Sequence, residues 1–268
     1  MTEQAISEKT ARGQSVRNRK GQLQRYWEID MMRGVAIVMM VIFHLLWDFW
    51  AFQIMPNLVL YAGFWKYFQR TTAITFLLVV GVSLTVSYRR EVKKNRGAKP
   101  GWHKYVIRGL RIFGIGMCFT LFGLLSGFGY VHIGILHLIG IAIIVSYPLL
   151  TYRWINLILW AIFVIIGGIV LRTNLDHNWL VYLGLHRPDY YPLDYFPIFP
   201  WLGVVLLGVF LGNTFYGPEG RIILLPDLSD ALLVRGLRFL GRHSLIIYVI
   251  HQPLMIAILF ALGLAHMG

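Results

Sequence analysis

Four ionisable side chains sit where the surrounding sequence is apolar: His44, Asp48, His137 and His251. An imidazole in hydrocarbon is costly, so such a group normally faces a bundle interior or a cavity and marks a candidate site of chemistry. Asp48 follows His44 by four residues, which puts a carboxylate and an imidazole on one helical face, one turn apart. That pairing suits proton transfer, with a ring that takes the proton and a carboxylate that fixes the ring's tautomer. Beside His251 stand Tyr248 and Gln252, a hydroxyl and an amide able to donate to a developing negative charge. Pro253 follows and leaves a carbonyl one turn earlier without its helical partner. Arg33, Arg238 and Arg242 lie at the ends of the same apolar runs, and guanidinium groups there can grip phosphate bidentately.

The elements that must position these groups are membrane-spanning helices. Of the 268 residues, 57% are hydrophobic, 15% aromatic and only 14% charged, and the mean hydropathy is +0.62. That profile belongs to an all-α, polytopic membrane bundle rather than a soluble domain. Apolar runs at 33–55, 71–88, 112–126, 131–150, 154–171, 196–215 and 244–264 approach the ~20 residues needed to cross the hydrocarbon core, which makes seven expected spans.

The net charge of +13 is distributed by topology. With the N-terminus inside, 21 of the 25 Lys and Arg fall on the inner side, leaving Lys66, Arg70, Arg172 and Arg187 outside. The positive-inside rule therefore gives N-in, C-out, and the basic balance needs no nucleic acid to explain it. Residues 1–25 read as a disordered basic cytoplasmic tail, and 26–268 as one integral membrane domain. The first apolar run is too long for a signal peptide. Cys118 is the lone cysteine, so no intramolecular disulfide forms, and no metal-binding spacing is present. The segment 172–195, rich in His, Asp, Tyr and Pro, is placed to line a mouth on the outer side. The stretch 217–243 suggests an amphipathic surface helix inside.

At ~1.5 Å per residue, His44 lies about 16 Å past Arg33, His251 about 13 Å past Arg242, and His137 about 9 Å in from residue 131. A single intramembrane histidine as readily packs and bonds across helices; three at overlapping depths with a carboxylate one turn away favour a site. Thr75, Ser83 and Ser126 read as helix residues bonded back to their own backbone.

With these residues laid out, a resemblance emerges. The stretch Arg25-Tyr-Trp-Glu-Ile-Asp30-Met-Met-Arg33-Gly34-Val-Ala-Ile37, running into Phe43-His44 and Asp48, resembles the start of the heparan-α-glucosaminide N-acetyltransferase catalytic-domain family. Gly134-Ile-Leu-His137-Leu-Ile-Gly140 is similar to its mid-chain motif. Asp194-Tyr-Phe-Pro-Ile-Phe-Pro200-Trp201 is similar to the motif before a later span. Leu240-Gly241-Arg242-His243-Ser244 with Tyr248 and His251-Gln252-Pro253 is similar to the C-terminal signature. The resemblance covers about residues 25–262. It implies transfer of an acetyl or other acyl group from cytosolic acetyl-CoA to a sugar, glycan or glycolipid acceptor reached from the opposite face. It also implies a small bacterial protein of the cytoplasmic membrane, with room for a homo-oligomer.

One departure stands out: the animal enzymes carry a histidine in the stretch after the first span, and here residues 49–102 contain none. His44 is the better match to a polar motif position. On this reading His44 held by Asp48 is the general base, and His137 or His251 donates to the oxyanion with Tyr248 or Gln252 assisting. Arg33, Arg238 and Arg242 anchor the CoA phosphates, and no metal is required. Two other classes use the same residues: a proton- or ion-coupled transporter with midplane His and Asp, and a haem or metal protein ligated by the three histidines.

Overall fold

The computed structural model describes residues 25–126, 131–190, 192, 194–218 and 220–265. The expected tail lies, apart from Arg25, outside the described residues. Eight α-helices follow in order: α1 Trp27–Ala51, α2 Gly63–Lys94, α3 Trp102–Ser126, α4 Ile135–Ser146, α5 Arg153–Val170, α6 Ile198–Phe215, α7 Leu232–Arg242 and α8 Ser244–Ala261. Short 3-10 turns occupy Tyr147–Leu149 and Val181–Leu183. A two-residue antiparallel pair, Tyr216–Gly217 with Gly220–Arg221, is the only strand pairing among the described residues beyond isolated bridges. The all-α expectation holds.

Six helices, α1, α2, α3, α5, α6 and α8, are long and apolar enough to cross a bilayer. The 25 residues of α1 extend about 38 Å, and the 32 of α2 about 48 Å. The expected seventh span differs. Residues 131–134 are not helical, because Ile133 bridges to Tyr195 and accepts the Phe196 N–H. What remains is α4, 12 residues long or about 18 Å, followed by a 3-10 turn containing Pro148. Nine of the 12 α4 residues are buried, so this short helix runs through the bundle sheathed mostly by protein, where its ends can be met by loops.

The helices meet through small residues. A Cβ on Gly81 of α2 would overlap the Val205 carbonyl of α6, one on Gly109 of α3 would collide with α4 at Gly140 and Ile144, and one on Gly34 of α1 would overlap the Leu237 carbonyl of α7. Such contacts let helix backbones approach where lipid supplies no hydrophobic drive. α1 packs on α2, α7 and α8; α2 packs on α6; α6 on α5 and α4; and α4 on α3. The core gathers Leu77 and Leu84 of α2, Leu138 and Ala142 of α4, and Val205 and Val209 of α6. The amphipathic surface helix expected in 217–243 is α7. It buries Val234 and Gly241 and leaves Leu232, Leu233 and Phe239 exposed.

The chain runs back and forth between two ends. One end collects Arg25, Asp30, Arg89, Tyr147, Asn213 and Gly241, tied by bonds such as Asn213 Nδ2 to the Leu150 carbonyl at 3.0 Å. The other collects Trp47, Tyr61, the 131–134 segment and Asp194.

The two glycines of α7 should behave oppositely. A Cβ at Gly241 would overlap the Asp30 carbonyl, whereas Gly236 has open space around it. Gly241→Val should lower stability by about 1–3 kcal/mol or more, as overpacking does. Gly236→Ala should raise it by about 0.5–1 kcal/mol through backbone entropy. Thermal unfolding in detergent reads both; equal shifts would refute the close α1–α7 crossing.

Candidate functional site

A cavity of about 250 Å³ lies inside the bundle, walled by α1, α2, α3, α4, α8 and the segment before α6. His44, His137, His251, Tyr248 and Gln252, five of the residues singled out from sequence, line it together. Phe43, Phe76, Phe119 and Phe196 make the rest of its wall largely apolar. At the end away from the basic cluster, Trp47 Nε1 donates to Tyr61 Oη at 3.1 Å.

The three imidazoles are held differently. His44 Nδ1 lies 2.9 Å from the Met40 carbonyl, one turn back on α1. His251 Nδ1 lies 2.7 Å from the Tyr248 carbonyl on α8. A carbonyl only accepts, so in both rings Nδ1 carries the hydrogen and Nε2 keeps its lone pair. His251 Nε2 is buried with no partner, and His44 Nε2 has none among the described residues. The two rings meet edge to face with centroids 4.9 Å apart. A pair of unbonded ring nitrogens in a shared cavity is suited to taking and returning a proton.

His137 differs, because it is the third residue of α4. Its Nδ1 accepts the Gly134 N–H at 3.1 Å, satisfying one of the free amides at the helix start. Its Nε2 must then carry the hydrogen, and it faces Thr120 Oγ1 at 3.4 Å; that hydroxyl donates to the Val131 carbonyl at 2.6 Å. Both ring nitrogens are engaged in holding α4 against α3. The geometry gives His137 a structural task, and a set of three imidazoles free to ligate a metal is not assembled. Among the described residues no group of three or more His, Cys, Asp or Glu side chains is placed for a metal.

The expected pairing of His44 with Asp48 does not form. Asp48 is fully buried, and its Oδ1 accepts from Gln252 Nε2 at 2.5 Å, bridging α1 to α8. The local Met40 carbonyl has taken the ring hydrogen that Asp48 was expected to hold. One of the two Gln252 N–H donors is thereby engaged by Asp48.

The arginines expected to grip phosphates are also engaged. Asp30 is buried in the first turn of α1, with Arg25 at 2.7 Å, Arg33 at 3.2 Å and Arg242 at 3.5 Å. Arg33 reaches further, to Ser83 Oγ on α2 at 2.6 Å and the Gly241 carbonyl at 3.3 Å. Ser83 was expected to bond its own backbone; it receives this guanidinium instead. Arg238 donates to the Ser229 carbonyl at 2.8 Å. A buried carboxylate needs compensating charge, and Asp30 recruits the nearest guanidinium groups from α1 and the α7–α8 junction.

Asp194 was not among the residues proposed from sequence, although its Asp-Tyr-Phe-Pro context had been marked as a motif. It lines the cavity and its Oδ2 accepts the Ile135 N–H at 3.0 Å, at the start of α4. Burial pushes its carboxyl up from 3.8 to about 6, partly opposed by that backbone bond. It lies close enough to Tyr248 for their charges to interact. The expected outer mouth segment therefore contributes one acidic group to the cavity itself.

Residues 25–253 match the catalytic family of heparan-alpha-glucosaminide N-acetyltransferase, and the chain belongs to that family. No curated protein and no solved structure matches the chain significantly. Membership makes the chain a membrane acetyltransferase-like protein, in keeping with its six long apolar helices.

The state of Asp194 should be readable in stability. Its folded value lies above the unfolded one, so folding favours the protonated form. The associated stability is fully present below about pH 4 and is lost as pH rises through about 6. Asp194→Asn should remove that part of the pH dependence, measured as melting temperature between acid and neutral pH in detergent. An unchanged profile would place Asp194 in water rather than in the cavity wall.

Proposed function

We propose that this member of the heparan-alpha-glucosaminide N-acetyltransferase catalytic family moves an acetyl group from acetyl-CoA to an amine or hydroxyl of a sugar acceptor. The observation that carries the reading is the pair of unbonded imidazole nitrogens, on His44 and His251, in a largely apolar cavity. Acyl transfer needs a base at the nucleophile, a donor for the oxyanion and exclusion of water from the thioester, and these groups supply each.

The step balances within the cavity. The acceptor N–H or O–H is oriented by the Asp194 carboxylate, and its heteroatom attacks the thioester carbonyl. His44 or His251 takes the proton at Nε2, and the Tyr248 hydroxyl donates to the oxygen as negative charge develops. Collapse breaks the carbon–sulfur bond, and the imidazolium returns the proton to the departing thiolate. His137 and Asp48 act on geometry: one caps α4 and the other ties α8 to α1.

The basic end supports a donor side. The positive-inside rule assigns it to the cytosol, where acyl-CoA resides, and a cytoplasmic membrane location follows from that assignment. Arg33 lies eleven residues before His44, about 16 Å along α1. An extended pantetheine arm covers a gap of that order. Arg33, Arg238 and Arg242 would meet phosphates only by exchanging the Asp30 and Ser229 contacts they make in this structure. The sugar acceptor approaches from the opposite end. The transporter reading draws on the same polar groups and would give solute flux without acyl-CoA.

In proteoliposomes, His44→Ala and His251→Ala should each lower acetyl-CoA-dependent acylation by about 10²–10⁴-fold, the usual worth of a positioned base. His137→Ala should instead lower the melting temperature. Full turnover in both of the first two variants would sink the proposal.

A further inference from the structure

The helices around the cavity form a broken ring. α8 packs on α1 and α7 but not along α3, and α3 packs on α4 but not along α8. Between α3 and α8 lies a slot, bridged by one ring contact, Phe119 to Tyr248, at 6.3 Å. Both side chains also line the cavity. The flanks of the slot are exposed and apolar: Leu121 and Phe122 on α3, Ile246 and Ile250 on α8. Both helices are candidate membrane spans. Exposed apolar side chains of both helices therefore flank a contact whose two rings line the cavity.

A free sugar is a poor match for this opening, because it would shed its water against phenylalanines with few hydrogen-bond partners. An apolar chain loses nothing there, because the slot is as apolar as the bilayer it comes from. The polar groups of the cavity, Asp194 and the two imidazoles, suit the head of such a molecule. We infer that the acceptor is lipid-linked: its apolar chain lies in the slot between α3 and α8, and its sugar head reaches the His44–His251 pair. This deepens, and rests on, the acyl-transfer reading above, while the slot itself can be tested without turnover.

The test uses the full chain in phospholipid nanodiscs with a dodecyl glucosaminide carrying a diazirine in its chain. Photolabelling mapped by mass spectrometry should mark Phe119 and Phe76 inside the cavity. Excess dodecyl glucosaminide should block that label, and methyl glucosaminide should not. Phe119→Trp should reduce the cavity label several-fold, and Ile165→Trp, on the exposed face of α5, should not. Acetyl transfer from acetyl-CoA should favour the dodecyl over the methyl acceptor by at least tenfold. Label confined to lipid-facing positions away from the slot, such as Ile158 and Ile165 on α5, overturns the slot, as does Cys118-to-Cys118 cross-linking of two copies with no cavity label. Equal transfer to both acceptors overturns the lipid-linked class while leaving acyl transfer intact. Cavity labelling without any acetyl transfer fails the reaction but retains the slot.

Discussion

An imidazole inside an apolar bundle must satisfy one ring nitrogen locally, and the site follows from where each does so. His44 and His251 both bond a carbonyl of their own helix, which fixes the hydrogen on Nδ1 and turns a lone pair towards shared space. Neither ring needs a carboxylate to choose its tautomer. The desolvated carbonyl does that work, and a buried hydrogen bond of this kind is held because breaking it leaves two polar groups unmet. His137 accepts an amide hydrogen instead of donating to a carbonyl, so the same residue type ends as a helix cap. Three similar side chains in similar sequence surroundings thus divide into two that donate to a carbonyl of their own helix and one that accepts an amide hydrogen at a helix start.

A second constraint acts at the basic end. Asp30 is buried at the start of α1, where the helix dipole favours a negative charge. Three arginines close on it, and Arg33 passes the link to Ser83 on α2 and to the α7 backbone. The positive charge gathered at this end therefore joins three helices.

Much of this was legible in the sequence, and the failures share a cause. Apolar runs located six long helices, and buried histidines located the cavity, because both signals report energetic cost rather than detailed geometry. The helix expected over 131–150 is shorter than that continuously apolar run, because the start of α4 is set by Ile133 bridging to Tyr195, 62 residues on. Asp48 was assigned to His44 because i,i+4 spacing shows what shares a face. It cannot show that Met40 already holds the ring or that Gln252 waits across the interface. Asp194 was visible as part of a motif, but nothing local to it told that its carboxylate would reach the first turn of another helix.

The surroundings of the two rings differ in packing. His44 rides on α1, which is wedged among α2, α7 and α8, whereas His251 rides on α8, which leans mainly on α1 and carries Pro253 within it. One nitrogen is carried by a helix packed on three others, and the other by a helix packed mainly on one. Beside the rings, the Asp48–Gln252 hydrogen bond ties α8 back to α1. The spacing between the two rings therefore depends on how α8 is held against α1, and a single polar bond is among the contacts that set it.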